Sequence, residues 1–190
     1  MKDKEQCEML VYHTGYQVIE KPDVHYGRKN ADFGQGFYVS SSRDFSARWI
    51  HPRRGSRIFI NSYRLFLSGL RVRTLDRDEE WFRYLFANRH HLPDVYDEDV
   101  IRGPIANDTI FDTLGIITSG QLADEDALKL LMVGPAYEQI VLKTEKAAGQ
   151  LTFLSAEEIP AGEYEEILKV KKAEEDEYLS RFVHVMEKIY

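Results

Sequence analysis

The stretch that most restricts the backbone is Phe33-Gly34-Gln35-Gly36-Phe37-Tyr38-Val39, a glycine-flanked turn that delivers a tyrosine at the start of a strand. Glycine at such positions permits backbone angles and close approaches that other residues resist. Upstream, Val11-Tyr12-His13-Thr14-Gly15 is a second short strand, and it delivers a histidine to a turn. Together the two segments suggest a nucleotide pocket. A third segment, Tyr137-Glu138-Gln139-Ile140-Val141-Leu142, sets two polar side chains at the start of an apolar strand, where a buried carboxylate or amide needs a partner or a task. Side chains alternate along a strand, so only one of Glu138 and Gln139 faces the pocket.

Around these segments the pattern is mixed α+β. Residues 9–13, 36–41, 56–66, 71–75, 138–144 and 150–154 carry the alternation or β-rich composition of strands. The polar stretch 23–32 suits a loop arching over a cleft. Ser41-Ser42-Arg43-Asp44 offers an N-cap to a short helix carrying Phe45 and Trp49. Residues 78–90, with Trp81, Phe82, Leu85 and Phe86 at helical spacing, form a helix, and 108–114 and 123–132 have helical patterns too. The apolar stripe through 163–190 marks a docking helix. At 190 residues without a linker or repeat, the chain is expected to be a single domain spanning 1–190.

Composition narrows the function. The single cysteine, Cys7, excludes an internal disulfide and a multi-cysteine metal site. The charged start Met1-Lys2-Asp3-Lys4-Glu5 leads into no apolar run, so a soluble, cytoplasmic protein without a membrane partner is expected. A net charge of -7 argues against a broad electrostatic grip on nucleic acid. Arg53, Arg54, Arg71 and Arg73 leave a local one open, although such clusters are commonly solvated faces. His90-His91 with Asp94, Asp97 and Glu98 lacks the spacing of a metal site, because adjacent helical histidines face different ways. No metal is expected, and neither a phosphate-binding Gly-x-x-x-x-Gly-Lys loop nor a Gly-x-Ser-x-Gly elbow occurs.

The three segments resemble the ADP-ribosyltransferase superfamily, in the branch marked by histidine, tyrosine and glutamate on three strands. The poly(ADP-ribose) polymerase core carries Phe-Gly-Lys-Gly-Ile-Tyr-Phe followed by Ser-Ala-x-Tyr. Here Phe33-Gly34-Gln35-Gly36-Phe37-Tyr38-Val39 is followed, at the same spacing, by Ser46-Ala47-Arg48-Trp49. The chain is also similar, over most of residues 9–155, to an uncharacterised bacterial family assigned to the same superfamily, with its Tyr-His-x-x, Asp-Phe-Gly-x-Gly-Phe-Tyr, Asn-Asp and Gln-Ile stretches.

The resemblance implies an ADP-ribosyltransferase-like split antiparallel sheet with flanking helices, and a pocket for NAD as substrate. His13 would bond the adenosine ribose, and the backbone of Thr14 and Gly15 the nicotinamide carboxamide, Thr14 standing where the family usually has glycine. Tyr38 and Trp49 would sandwich the nicotinamide ring, with Ser46 offering its hydroxyl, and Phe33, Gly36 and Phe37 shaping the pocket. Arg28 and Asn30 would serve the pyrophosphate from the cleft loop, Arg28 by a bidentate contact. Asn107-Asp108 is either a further contribution or only an N-cap. Cleavage of the nicotinamide–ribose bond passes through an oxocarbenium-like transition state, which a group holding the ribose hydroxyl stabilises. Alignment with the polymerases gives that role to Glu138, and whole-chain similarity gives it to Gln139.

The activity so implied is transfer of ADP-ribose to a macromolecule, protein or nucleic acid, in a toxin or anti-phage effector with a cognate antitoxin as partner. The alternatives are a catalytically silent module that binds NAD or ADP-ribose, and an NAD glycohydrolase that uses water as acceptor.

Overall fold

Residues 8–50, 53–106 and 123–189 are described by the computed structural model. The alternating residues Met9, Val11 and His13 place one side of β1 (Glu8–Gly15) against an apolar cluster. β1 pairs antiparallel with β3 (Phe59–Phe66), in register Val11↔Tyr63 and His13↔Asn61, and β3 pairs antiparallel with β7 (Leu151–Glu158). Together they form a sheet of order β1-β3-β7. The second sheet has order β2-β6-β5-β4, from β2 (Phe37–Val39), β6 (Glu138–Leu142), β5 (Val100–Pro104) and β4 (Val72–Thr74). A single bridge between Tyr12 and Ser40 stitches the two sheets together.

The molecule is therefore mixed α+β, with two sheets and five helices among the described residues. The expected wholly antiparallel pairing is corrected at one edge, because β4 and β5 run parallel. β5 itself carries too short an apolar run, Val100-Ile101, to stand out from sequence, yet both residues are fully buried, one on each side of the sheet. The predicted last strand, 150–154, extends to Glu158. β7 is an edge strand, so its polar end faces solvent without penalty.

Five helices frame the sheets. α1 (Arg43–Arg48) starts at Ser42, whose hydroxyl accepts from the Phe45 N–H, and α2 (Glu79–Arg89) starts at Asp78, which accepts from Trp81. α2 buries Trp81, Phe82, Tyr84 and Leu85 in the largest core cluster, which also takes Leu130 and Leu131 of α3 (Asp124–Leu131). α4 (Glu145–Ala148) is a single turn capped by Thr144, too short for its periodicity to register in the sequence. α5 (Ala161–Ile189) buries Tyr164, Tyr178 and Phe182. The helical pattern at 108–114 and the pair Asn107-Asp108 lie outside the described residues. Among the described residues no helix is long and apolar enough to cross a membrane.

Candidate functional site

Side-chain alternation along β6 decides which polar residue faces which way. Val141 packs in the cluster beneath α2, whereas Ile140 and Leu142 pack between the two sheets. Gln139 therefore shares the Val141 face, and Glu138 points the opposite way. Glu138 is bound there by Arg102, whose Nε and Nη2 donate at 2.9 and 2.7 Å. Gln139 is 3% exposed, and its Nε2 has no acceptor. Its neighbour across β5 is Gly103, which adds no side chain beside the amide.

Tyr38 lies opposite Val141 in register, so its ring and Gln139 are diagonal neighbours on one face of the sheet. The Tyr38 hydroxyl is committed within its own turn, accepting from the Phe33 N–H at 3.0 Å and donating to the Gly34 carbonyl at 2.7 Å. Burial first, and the nearby Asp32 carboxylate second, push its pKa well above that of a free phenol. Tyr38 thus offers a ring face and no proton chemistry.

The turn is held by a buried polar frame absent from the sequence-derived set. Lys143 donates to the Phe33 carbonyl and pairs with Asp94 at 2.8 Å, and Tyr84 bonds both the same carbonyl and Asp94. Asn88 donates to the Asp32 carbonyl, and the Asp32 carboxylate is paired with Arg89 at 2.8 Å, both side chains 7% exposed. These partners lie some fifty or more residues away in the chain for all but the local contacts, so no spacing rule reveals them. Two glycines are required here. Gly34 has φ of 73°, and a Cβ on Gly36 would meet Val141 Cγ2 at 2.5 Å and the Leu142 carbonyl oxygen at 2.6 Å.

His13 stacks on Phe37 at 4.6 Å and its Nδ1 lies 2.7 Å from the Tyr38 carbonyl oxygen. That contact requires the proton on Nδ1, which leaves Nε2 as an acceptor. Burial lowers the His13 pKa, with the carbonyl bond opposing, so the neutral ring is favoured. His13 lies on the Phe37 side of β2, the face opposite the Tyr38 ring, and meets Tyr38 only through the backbone.

Thr14 Oγ1 is 3.1 Å from Ser46 Oγ, and Ser46 donates to the Arg43 carbonyl at 2.8 Å, so Thr14 is the donor of the pair. This bond ties α1 to β1. Trp49, the C-cap of α1, packs edge-on to Phe45 at 5.3 Å beside the same core that Tyr38 borders, and its Nε1 is buried without an acceptor. Phe45 in turn stacks on Tyr137 at 4.2 Å. Glu174 of α5 accepts from both Arg48 and Tyr137, at 2.7 and 2.6 Å, clasping the residues that precede Trp49 and Glu138.

The remaining sequence-derived residues divide. Phe33 is buried in the larger core cluster, and Phe37 is buried beneath the His13 ring in the cluster between the sheets. Gly15 ends β1 beside His13, where a Cβ would lie 3.4 Å from Nε2. Arg28 and Asn30 are exposed on the loop joining β1 to β2, and the Arg28 charge reaches the Tyr38 hydroxyl. Among the described residues there is no group of three or more His, Cys, Asp or Glu placed to hold a metal ion.

A family model described as "Protein of unknown function (DUF3990)" matches residues 9–153. The chain belongs to that family. The match takes in β1, the 33–38 turn, α1 and β6, and stops before α5. No curated protein and no solved structure matches the chain.

Proposed function

We propose that this DUF3990 member is an NAD-dependent ADP-ribosyltransferase with an ADP-ribosyltransferase-like fold. The observation that carries the reading is the face shared by Tyr38 and Gln139, where the buried Gln139 Nε2 has no acceptor; the buried Nε1 of Trp49, which packs against the same core cluster as Tyr38, has none either. A buried donor left unpaired costs about 1–3 kcal/mol, so the Gln139 amide beside the Tyr38 ring points to a ligand that supplies an oxygen there.

In this reading Tyr38 and Trp49 flank the nicotinamide ring, and Gln139 donates to a ribose hydroxyl oxygen. Arg28 meets the pyrophosphate, while His13, on the opposite face of β2, holds the Tyr38 backbone through its carbonyl, and the fully buried Ser46 ties α1 to β1. The bond between C1′ and nicotinamide breaks with its electron pair leaving on the nicotinamide nitrogen. The acceptor nucleophile bonds C1′ and loses a proton to solvent. Positive charge develops on the sugar, and a neutral amide stabilises it less than a carboxylate, since hydrogen bonds to charged groups are worth roughly 1.5–3 kcal/mol against about 1. A slow transferase follows.

That same neutral amide favours one second reading, a module that binds NAD without turnover. Effector activity and a cognate antitoxin follow from the resemblance to compact members of the superfamily. The test is nicotinamide release from NAD, with and without cell extract, beside Tyr38→Ala. Release that requires extract and vanishes in the variant supports transfer. NAD binding with no release in either condition supports the silent module.

A further inference from the structure

Arginines in this acidic chain are almost all neutralised. Arg43, Arg48, Arg57, Arg64, Arg71, Arg73, Arg83, Arg89, Arg102 and Arg181 each face a carboxylate within 4 Å. Arg77 is half-buried and donates to the Leu131 and Gly134 carbonyls at the C-terminal end of α3. Arg71 and Arg73, which the sequence left open as nucleic-acid contacts, are thereby taken up by Asp97 and by Glu98 with Glu80.

Apart from Arg77, the arginines with no carboxylate within 4 Å among the described residues are Arg28, Arg53 and Arg54, and all three are exposed. They sit on the two loops that leave the site-bearing elements. Arg28, with Lys29 beside it, is on the β1–β2 loop, within electrostatic reach of Tyr38. Arg53 and Arg54 follow Trp49 on the α1–β3 loop. The β1–β2 loop also carries two tyrosines, Tyr16 and Tyr26. Tyr26 is 91% exposed, and Gln35 fixes the base of its loop by donating to the His25 and Gly27 carbonyls at 2.6 and 3.1 Å. A Cβ on Gly27 would come within 2.4 Å of the Gly36 carbonyl oxygen, so the loop lies directly on the Tyr38 turn. The Arg53 guanidinium covers the Tyr16 ring at 4.5 Å.

We infer that the acceptor of ADP-ribose is a single-stranded nucleic acid, gripped by Lys29, Arg53 and Arg54 and stacked on Tyr26. The inference rests on the transferase reading, which gives Arg28 to NAD. Cations without a carboxylate partner among the described residues, exposed on the loops that leave β1 and α1 in a chain of net charge -7, select a polyanion. An exposed tyrosine and a flat guanidinium–phenol stack add what an acidic peptide has no use for, because every base has a face to stack. A base or sugar nucleophile of the strand then forms the bond to C1′ as nicotinamide leaves with the electron pair, and its proton passes to solvent.

The test uses the full chain and a fluorescein-labelled single-stranded oligonucleotide of mixed sequence, with labelled poly-glutamate as the protein-like polyanion. Anisotropy is expected to show oligonucleotide binding that weakens with salt, at a slope of roughly -2 in log K against log salt for about three phosphate contacts. Arg53→Glu with Arg54→Glu is expected to weaken it at least tenfold and flatten the slope. Tyr26→Ala is expected to weaken it with the slope unchanged. Both variants keep the NAD affinity of the parent by calorimetry, and adenine-labelled NAD passes its label to the oligonucleotide. NAD binding with no oligonucleotide binding at low salt, or poly-glutamate bound as tightly, overturns the acceptor and leaves the transferase reading standing. Oligonucleotide binding with no NAD binding overturns the transferase reading, and the acceptor role with it.

Discussion

The 33–38 turn and the face it presents are built to opposite standards. Around the turn, the Phe33 carbonyl, the Asp32 carboxylate, the Tyr38 hydroxyl and Lys143 all have partners within the protein. On the face bearing Tyr38, Gln139 Nε2 has none, and neither has the buried Trp49 Nε1 at the end of α1. Adjacent residues of β6 repeat the contrast, since Glu138 is held by Arg102 while Gln139 is left unsatisfied. The difference teaches where rigidity ends and ligand chemistry begins. A fully satisfied polar network specifies one geometry, and an unsatisfied donor inside it is a place kept for something else.

Breaking the frame should have the largest effect. Gly36→Ala forces a methyl against Val141 and the Leu142 carbonyl, and β2 must then separate from β6. A loss of about 3 kcal/mol or failure to fold is expected in urea denaturation, together with the loss of any NAD binding. Lys143→Met comes next, because it removes the countercharge of Asp94 and one of the two donors to the Phe33 carbonyl. About 2 kcal/mol of destabilisation is expected, less than for a fully buried pair because Asp94 is partly exposed.

Gln139→Leu sharpens the comparison by reversing sign. Replacing an unpaired buried amide with an apolar group of similar size is expected to stabilise the free protein by about 1 kcal/mol while weakening NAD binding at least about tenfold. Thermal denaturation with and without NAD reads both effects. Destabilisation by this change would mean that the amide has a structural partner.

The smallest effect is the pH dependence carried by His13. Burial lowers its pKa from the 6.5 of a free imidazole, against the opposing Tyr38 carbonyl, so the unfolded chain takes up the proton at higher pH than the folded one. The stability His13 contributes is therefore full above about pH 6.5 and falls as the pH drops below it, until the folded ring is protonated too. Denaturation midpoints between pH 7.5 and 5, compared with those of His13→Gln, should show a shallower fall in the variant.

Much of this was legible from local pattern. The Gly-x-Gly turn, the Ser42 cap, the α2 stripe and the long C-terminal helix each declare themselves within a few residues, because turn, cap and helix physics is local. Alternation also limited the choice on β6 to one of two residues, but which face is buried beneath α2 depends on pairing with β2 and β5, which sequence spacing does not encode. Asp94, Lys143 and Glu174 were invisible for the same reason, since each matters only through partners brought near by the fold. The division of arginines into neutralised and free is likewise a property of the folded chain.

The central claim is that Gln139, and not its neighbour Glu138, faces the nucleotide. Calorimetric titration of NAD into the parent chain, Glu138→Gln and Gln139→Ala tests it most directly. The account predicts binding to the parent, affinity within about twofold for Glu138→Gln, and a loss of roughly tenfold for Gln139→Ala, the equivalent of about 1.4 kcal/mol. Loss in Glu138→Gln with Gln139→Ala unaffected would contradict it.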